Sequence, residues 1–204
     1  MTRVTFEIDR ATAIVLPGPG MAGGDVNAWA AESAAALLAH HDLPAHQRAA
    51  LPRVLARAQR SAAEDASTNV LTFEPETGAW APLRLTILDR SIDTDEQRRF
   101  LSPPAVLEPR IRLAASTGLG EGCSSTVRED AQRASVRWLF MTSDRTLFAV
   151  LGPLPPQSVL LAAARAETLI DSVHVDDAVW APSDAFDPSG VVAAAEGEDA
   201  VWRI

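Results

Sequence analysis

Val136-Arg137-Trp138-Leu139-Phe140-Met141 and Thr146-Leu147-Phe148-Ala149-Val150-Leu151, parted by Thr142-Ser143-Asp144-Arg145, decide the fold. Both runs are short, apolar and rich in β-branched or aromatic residues. A polar four-residue break between two such runs reads as a β-hairpin. Pro155-Pro156 then opens a segment in which Val159, Ala163, Ala166, Ile170 and Val173 recur at the spacing of a one-faced helix. A hairpin feeding a helix that lies back across the sheet builds a layered α+β domain.

Working outward, residues 3–8 and 12–16 read as strands on either side of Asp9-Arg10. Pro17 to Gly24 is a loop too rich in Gly and Pro for regular structure. Asp25 suits the N-cap of a helix reaching about His40. A second helix follows Pro44 and is expected to bend or restart at Pro52. One face of it carries Arg48, Arg53, Arg57 and Arg60, read as a solvated face. Asn69–Glu74 and Leu83–Asp89 read as strands joined near Thr77-Gly78, residues 94–101 as a short helix, and Val106–Ala115 as a further strand. Residues 116–135 read as a polar connection. The fold class expected is α+β, with a largely antiparallel sheet of about six or seven strands flanked by helices. Residues 1–175 form one domain, with a helical pair at about 26–63, and 176–204 form a short acidic C-terminal tail.

Charge and composition exclude several functions. The net charge is −9, and from Asp176 onward seven acids face Arg203 alone. The chain therefore lacks the basic field that nucleic-acid binding requires. All 18 basic residues are Arg, with no Lys and no Tyr. Phosphate loops of the Walker type, protein kinases, Schiff-base enzymes and Ser-x-x-Lys acyl enzymes all need the missing Lys. The single Cys123 forms no internal disulfide. No stretch approaches the ~18–20 apolar residues of a membrane span. The N-terminus places acidic residues where a signal peptide has its apolar run. A soluble, cytoplasmic protein is expected, without nucleic-acid or membrane partners.

Candidate chemistry is sparse. Gly18-Pro19-Gly20-Met21-Ala22-Gly23 satisfies the dinucleotide pattern G-x-G-x-x-G between a strand and a helix. The second parallel strand of such a unit is missing, and Asp42 leads into more helix. His40, His41 and His46 cluster around Asp42 without zincin spacing, and Asp89, Asp93, Asp95 and Glu96 form a helix-start pattern. Cys123 lies in a Gly-rich turn without a family signature, and His174 is the candidate base for it. No catalytic, cofactor-binding or metal-binding residue is assigned, and no cofactor is expected. Asp177-Ala178-Val179-Trp180 recurs as Asp199-Ala200-Val201-Trp202. Two strand-like apolar plugs on an acidic tether can add to a sheet edge or fill a groove, on the chain itself or on a partner. Val179, Trp180, Val201 and Trp202 are thus the candidate partner-binding residues.

Gly118-Leu119-Gly120-Glu121-Gly122, the two hairpin strands and the helix end Glu167-Thr168-Leu169-Ile170-Asp171-Ser172-Val173 resemble the Mog1/PsbP-like fold, specifically bacterial members of GC-rich genomes. The resemblance covers about the last third of the folded part. It implies an antiparallel sheet between helical layers and a binding or accessory role, and it transfers no catalytic residue. The function expected is a non-catalytic protein-interaction or accessory module with a protein partner. The alternative is a small-molecule or nucleotide-binding enzyme using the Gly18–Gly23 loop, whose anion site would be the helix start at Asp25.

Overall fold

The hairpin forms as its sequence dictates: Met141 pairs with Thr146 and Trp138 with Ala149 across an antiparallel ladder. Thr142 closes the turn, its hydroxyl accepting from the Arg145 N–H at 2.9 Å. These details come from a computed structural model that describes residues 4–64, 66–74, 79–175, 180 and 186–201, with backbone alone for 196–201. In chain order the elements are β1 (Val4–Thr5), β2 (Ala13–Leu16), α1 (Val26–Leu38), α2 (Ala45–Ala62), β3 (Thr68–Glu74), β4 (Ala79–Leu88) and α3 (Thr94–Leu101). They continue with β5 (Leu107–Ser116), β6 (Gly120–Arg128), β7 (Ala134–Met141), β8 (Thr146–Leu154), α4 (Val159–Asp171), β9 (His174–Val175) and α5 (Pro188–Val201). The fold is α+β. Its antiparallel seven-stranded sheet has the order β2-β3-β4-β8-β7-β6-β5, and β1 pairs with β9 in a separate two-stranded ribbon.

The chain forms two compact units, one from residues 8–84 and one from the flanking chain. In the first, β2 pairs with β3 so that Ile14 faces Leu71. Leu16, Leu71 and Phe73 of these strands share a core with Val26, Ala30 and Leu37 of α1 and Leu51 and Leu55 of α2. Phe73 is fully buried, with its ring centroid 4.9 Å from that of Trp80. Pro52 lies inside α2 without ending it. Of the bend or restart expected, the restart does not occur, because Leu51, Leu55, Ala56 and Gln59 on both sides of the proline are buried together. Packing of that face outweighs the one backbone hydrogen bond that proline removes.

In the second unit β7 is apolar on both faces and needs cover on both. Cys123, Leu139, Met141 and Phe148 point to one face, where they meet Leu101 and Phe100 of α3 and Val191 and Val192 of α5. Trp138, Phe140, Leu147 and Leu151 are all but fully buried on the other face. There α4 packs against β7 and β8 with Val159, Ala162, Ala166, Leu169 and Ile170 turned inward.

Three further readings need correction. Residues 120–128, read as a polar connection, form strand β6 between β5 and β7. Its residues are small because its neighbours are large: a Cβ at Gly122 would collide with the Leu139 carbonyl and the ring of Phe140, its register partner. The strand at the N-terminus is two residues long and pairs with β9 rather than with its sequence neighbour. Within the expected acidic tail, Pro188–Val201 is a helix, so Asp199-Ala200-Val201 is not a strand-like plug. Phe186 is only 7% exposed and belongs to the core beneath α5.

Helix α3 starts with a reciprocal capping box. The Glu96 N–H donates to the Asp93 carboxylate at 2.8 Å, and the Asp93 N–H donates back to Glu96 at 3.3 Å. Arg90 grips the same Glu96 carboxylate through two bonds of 2.7 and 2.8 Å. The Arg90 hydrogen bond above all, with the Asp93 backbone bond, holds the Glu96 carboxyl at about 2, below its ordinary 4.5. A carboxyl depressed on folding adds stability above its unfolded pKa and loses it as pH falls through the folded value. Stability is therefore expected to decline between about pH 4.5 and pH 2, and urea unfolding of Arg90→Gln should show a shallower decline in that window. An unchanged slope in the variant contradicts the pairing.

Candidate functional site

The glycine loop is tied down rather than open-handed. The Gln59 side chain, fully buried on α2, accepts from the Gly18 N–H at 3.1 Å and donates to the Gly18 carbonyl at 2.7 Å. Gly18 adopts φ +68°, which explains the glycine, and its peptide N–H is spent on Gln59. No atom lies within 4 Å of a Cβ built at Gly20, Gly23 or Gly24, so these glycines are not demanded by close packing. The strand before the loop pairs antiparallel with β3. This is not the parallel βαβ geometry in which that pattern cradles pyrophosphate. Asp25 precedes α1 but makes no side-chain cap.

The histidines separate. His41 reaches the Ala11 carbonyl with Nε2 and meets Phe73 edge-on at 5.2 Å, whereas His40 and His46 are exposed. Among the described residues no group of three or more His, Cys, Asp and Glu is placed to hold a metal. Asp93 and Glu96 cap α3, and Asp89 stands 3.8 Å from Arg145. Cys123 is fully buried and its Sγ donates to the Pro188 carbonyl at 3.5 Å. Burial first, then Asp187, pushes the thiol up to about 12. A thiol held protonated at neutral pH is a core residue, not a nucleophile.

Of the tail residues, Trp180 is half-buried and its indole N–H donates to the Leu119 carbonyl at 3.0 Å. Val179 and Trp202 lie outside the described residues, and Val201 ends α5.

Two features went unread in the sequence. Among the described residues, strand β5 forms one edge of the large sheet. Leu107 and Leu113 on it are each 56% exposed, and Arg110 and Arg112 are exposed beside them. Pro109 within this strand falls at its register shift against β6, between Leu107 and Arg110, a place where a strand tolerates proline.

The second feature is Arg137, the one charge inside the β7 run. It stands directly across from Ser125 of β6, in the same row and on the same face of the sheet. Its Nη1 donates to the Phe100 carbonyl at the end of α3, at 2.7 Å, and its guanidinium lies 5.5 Å over the Phe100 ring. Its Nε and the Ser125 hydroxyl are buried without a hydrogen-bond partner among the described residues. Burial pulls the Arg137 pKa down, while nearby Glu129 pushes it up. Leaving a buried donor unmet costs about 1–3 kcal/mol, so two side by side are unusual in a native core. The sequence signal was an Arg in the middle of an otherwise apolar strand.

No protein-family model, curated protein or solved structure matches the chain.

Two outcomes check these assignments. In native protein at neutral pH, Cys123 should resist Ellman's reagent and react only after unfolding; rapid labelling of the native chain contradicts its burial. Replacing Gln59 by Leu strips both partners from the buried Gly18 peptide and should cost about 1–3 kcal/mol in urea unfolding. A neutral result contradicts the clamp.

Proposed function

We propose that this chain is a non-catalytic protein-interaction module, working in the cytoplasm, whose docking surface is the outer edge of β5. The observation that carries the reading is that edge: a ten-residue strand that ends the sheet among the described residues and carries two exposed leucines and two exposed arginines. An incoming extended segment adds main-chain hydrogen bonds to such an edge, and alternate side chains give it specificity. Charge complementarity points to a partner segment in which acidic residues facing Arg110 and Arg112 alternate with apolar residues that cover Leu113. The groups that looked reactive in the sequence support a non-catalytic reading by their occupations: Cys123 fills a core, His41 holds a loop carbonyl and Gln59 holds Gly18. The Mog1/PsbP-like resemblance belongs to the same reading, supported by the antiparallel run β8-β7-β6-β5 with helices on both faces. No helix among the described residues is long and apolar enough to cross a membrane.

The test uses the full chain and synthetic extended peptides that alternate Asp or Glu with Val, against a basic alternating series of equal length. The acidic series should perturb amide resonances along β5, and Arg110→Glu with Arg112→Glu should weaken that binding at least about tenfold. Perturbations centred on residues 18–25 instead, or equal binding of the basic series, contradict the reading.

A further inference from the structure

The Arg137 and Ser125 pair is built to receive a carboxylate. In a guanidinium, the Nε–H and one Nη2–H lie parallel along one edge and match the two oxygens of a carboxylate, the side-on fork. Arg137 spends the other nitrogen, Nη1, on the Phe100 carbonyl, which fixes the plane of the group, and the Phe100 ring beneath it blocks one face. The edge left over is the carboxylate-matching edge, and its Nε is buried without a partner. Ser125, only 2% exposed, adds an unmet hydroxyl from the directly opposed position on the neighbouring strand. Opposed residues of an antiparallel pair hold their side chains about 4.5–5.5 Å apart at Cβ, so both reach one ligand. Arg137 as a whole is half-buried, with its Nε among the buried atoms.

The acid whose charge acts on Arg137, Glu129, is committed elsewhere. Glu129 accepts from Ser135 at 3.4 Å and faces Arg133 at 4.0 Å. Arg133 in turn holds Asp130 at 2.8 Å. A structural role for Arg137 as a brace on the end of α3 accounts for Nη1 alone. It leaves Nε and the serine unexplained.

We propose that Arg137 and Ser125 form a binding site for a monocarboxylate, taken side-on by Arg137 and hydrogen-bonded by Ser125, between the sheet and the end of α3. The carboxylate comes either from a free small acid or from the C-terminus of a peptide. This proposal stands apart from the β5 edge, since it concerns an inner strand and a ligand recognised by its charge.

The full chain, labelled with 15N, is titrated with acetate, with a short peptide bearing a free C-terminus, with the same peptide amidated, and with chloride at matched ionic strength. The Arg137 Nε–H resonance should move with acetate, with the free-acid peptide or with both; acetate alone marks a small-acid site, and a far tighter free-acid peptide marks C-terminal capture. Arg137→Lys keeps the charge but loses the fork, and should weaken binding about tenfold or more; Ser125→Ala should weaken it about threefold to tenfold. Ser125→Ala removes an unmet polar group and should fold at least as well as the parent, so it remains informative should the lysine variant misfold. Chloride or the amidated peptide acting equally well overturns the proposal. So does an Nε–H resonance that ignores every carboxylate but shifts in Glu129→Gln, which makes Glu129 the internal partner.

Discussion

Everything in the larger unit depends on β7 being apolar on both faces. A strand with Val136, Trp138 and Phe140 on one side and Leu139 and Met141 on the other cannot end its burial at one layer of helices. α4 covers the first set, and α3 with α5 covers the second. The same requirement explains why Pro188–Val201 is helical. Without Phe186, Val191 and Val192, the face that holds Cys123 and Leu139 would have only α3 to cover it, so an acidic, alanine-rich segment is drawn into the fold by the little apolar surface it carries.

The two-sided burial also sets the terms for chemistry. A row of polar residues, Ser125, Arg137 and Ser135, runs through the layer beneath α3 and α5, where low dielectric makes each unmet hydrogen bond expensive. Most polar groups there are answered within the chain: Thr146 donates to the Arg90 carbonyl, Gln97 to the Ile92 carbonyl, Cys123 to Pro188. Against that background the Arg137 Nε and the Ser125 hydroxyl, like Arg145 Nη1, are left without a partner among the described residues. In the smaller unit the opposite holds, since Gln59 and His41 use their polar ends to lock loops that the glycines and Asp9-Arg10 would otherwise leave loose.

What could be read from sequence followed local signals. The hairpin, the capping box at Asp93 and Glu96 and the one-faced helix after Pro156 each carry their instructions within a dozen residues, and each lies where its pattern put it. β6 escaped notice because its burial is supplied by neighbours: Gly122 and Ser124 are strand residues only because Phe140 and Trp138 stand opposite. Pro52 does not end α2 because its local penalty is outweighed by packing along the whole helix. α5 was hidden by composition, since alanine and acid suit a tether as well as a helix. Of the candidate site, Arg137 was visible as a charge in an apolar run, but its partnership with Ser125 required the register of two strands.

The most direct test is native-state hydrogen exchange on the full chain. With both faces covered, the amides of 136–141 should be among the slowest in the protein, exchanging only on global unfolding, while those of the β5 edge exchange far sooner. Exchange of 136–141 as fast as that of residues 107–113 would contradict a strand closed on both sides, and with it the role given to α5.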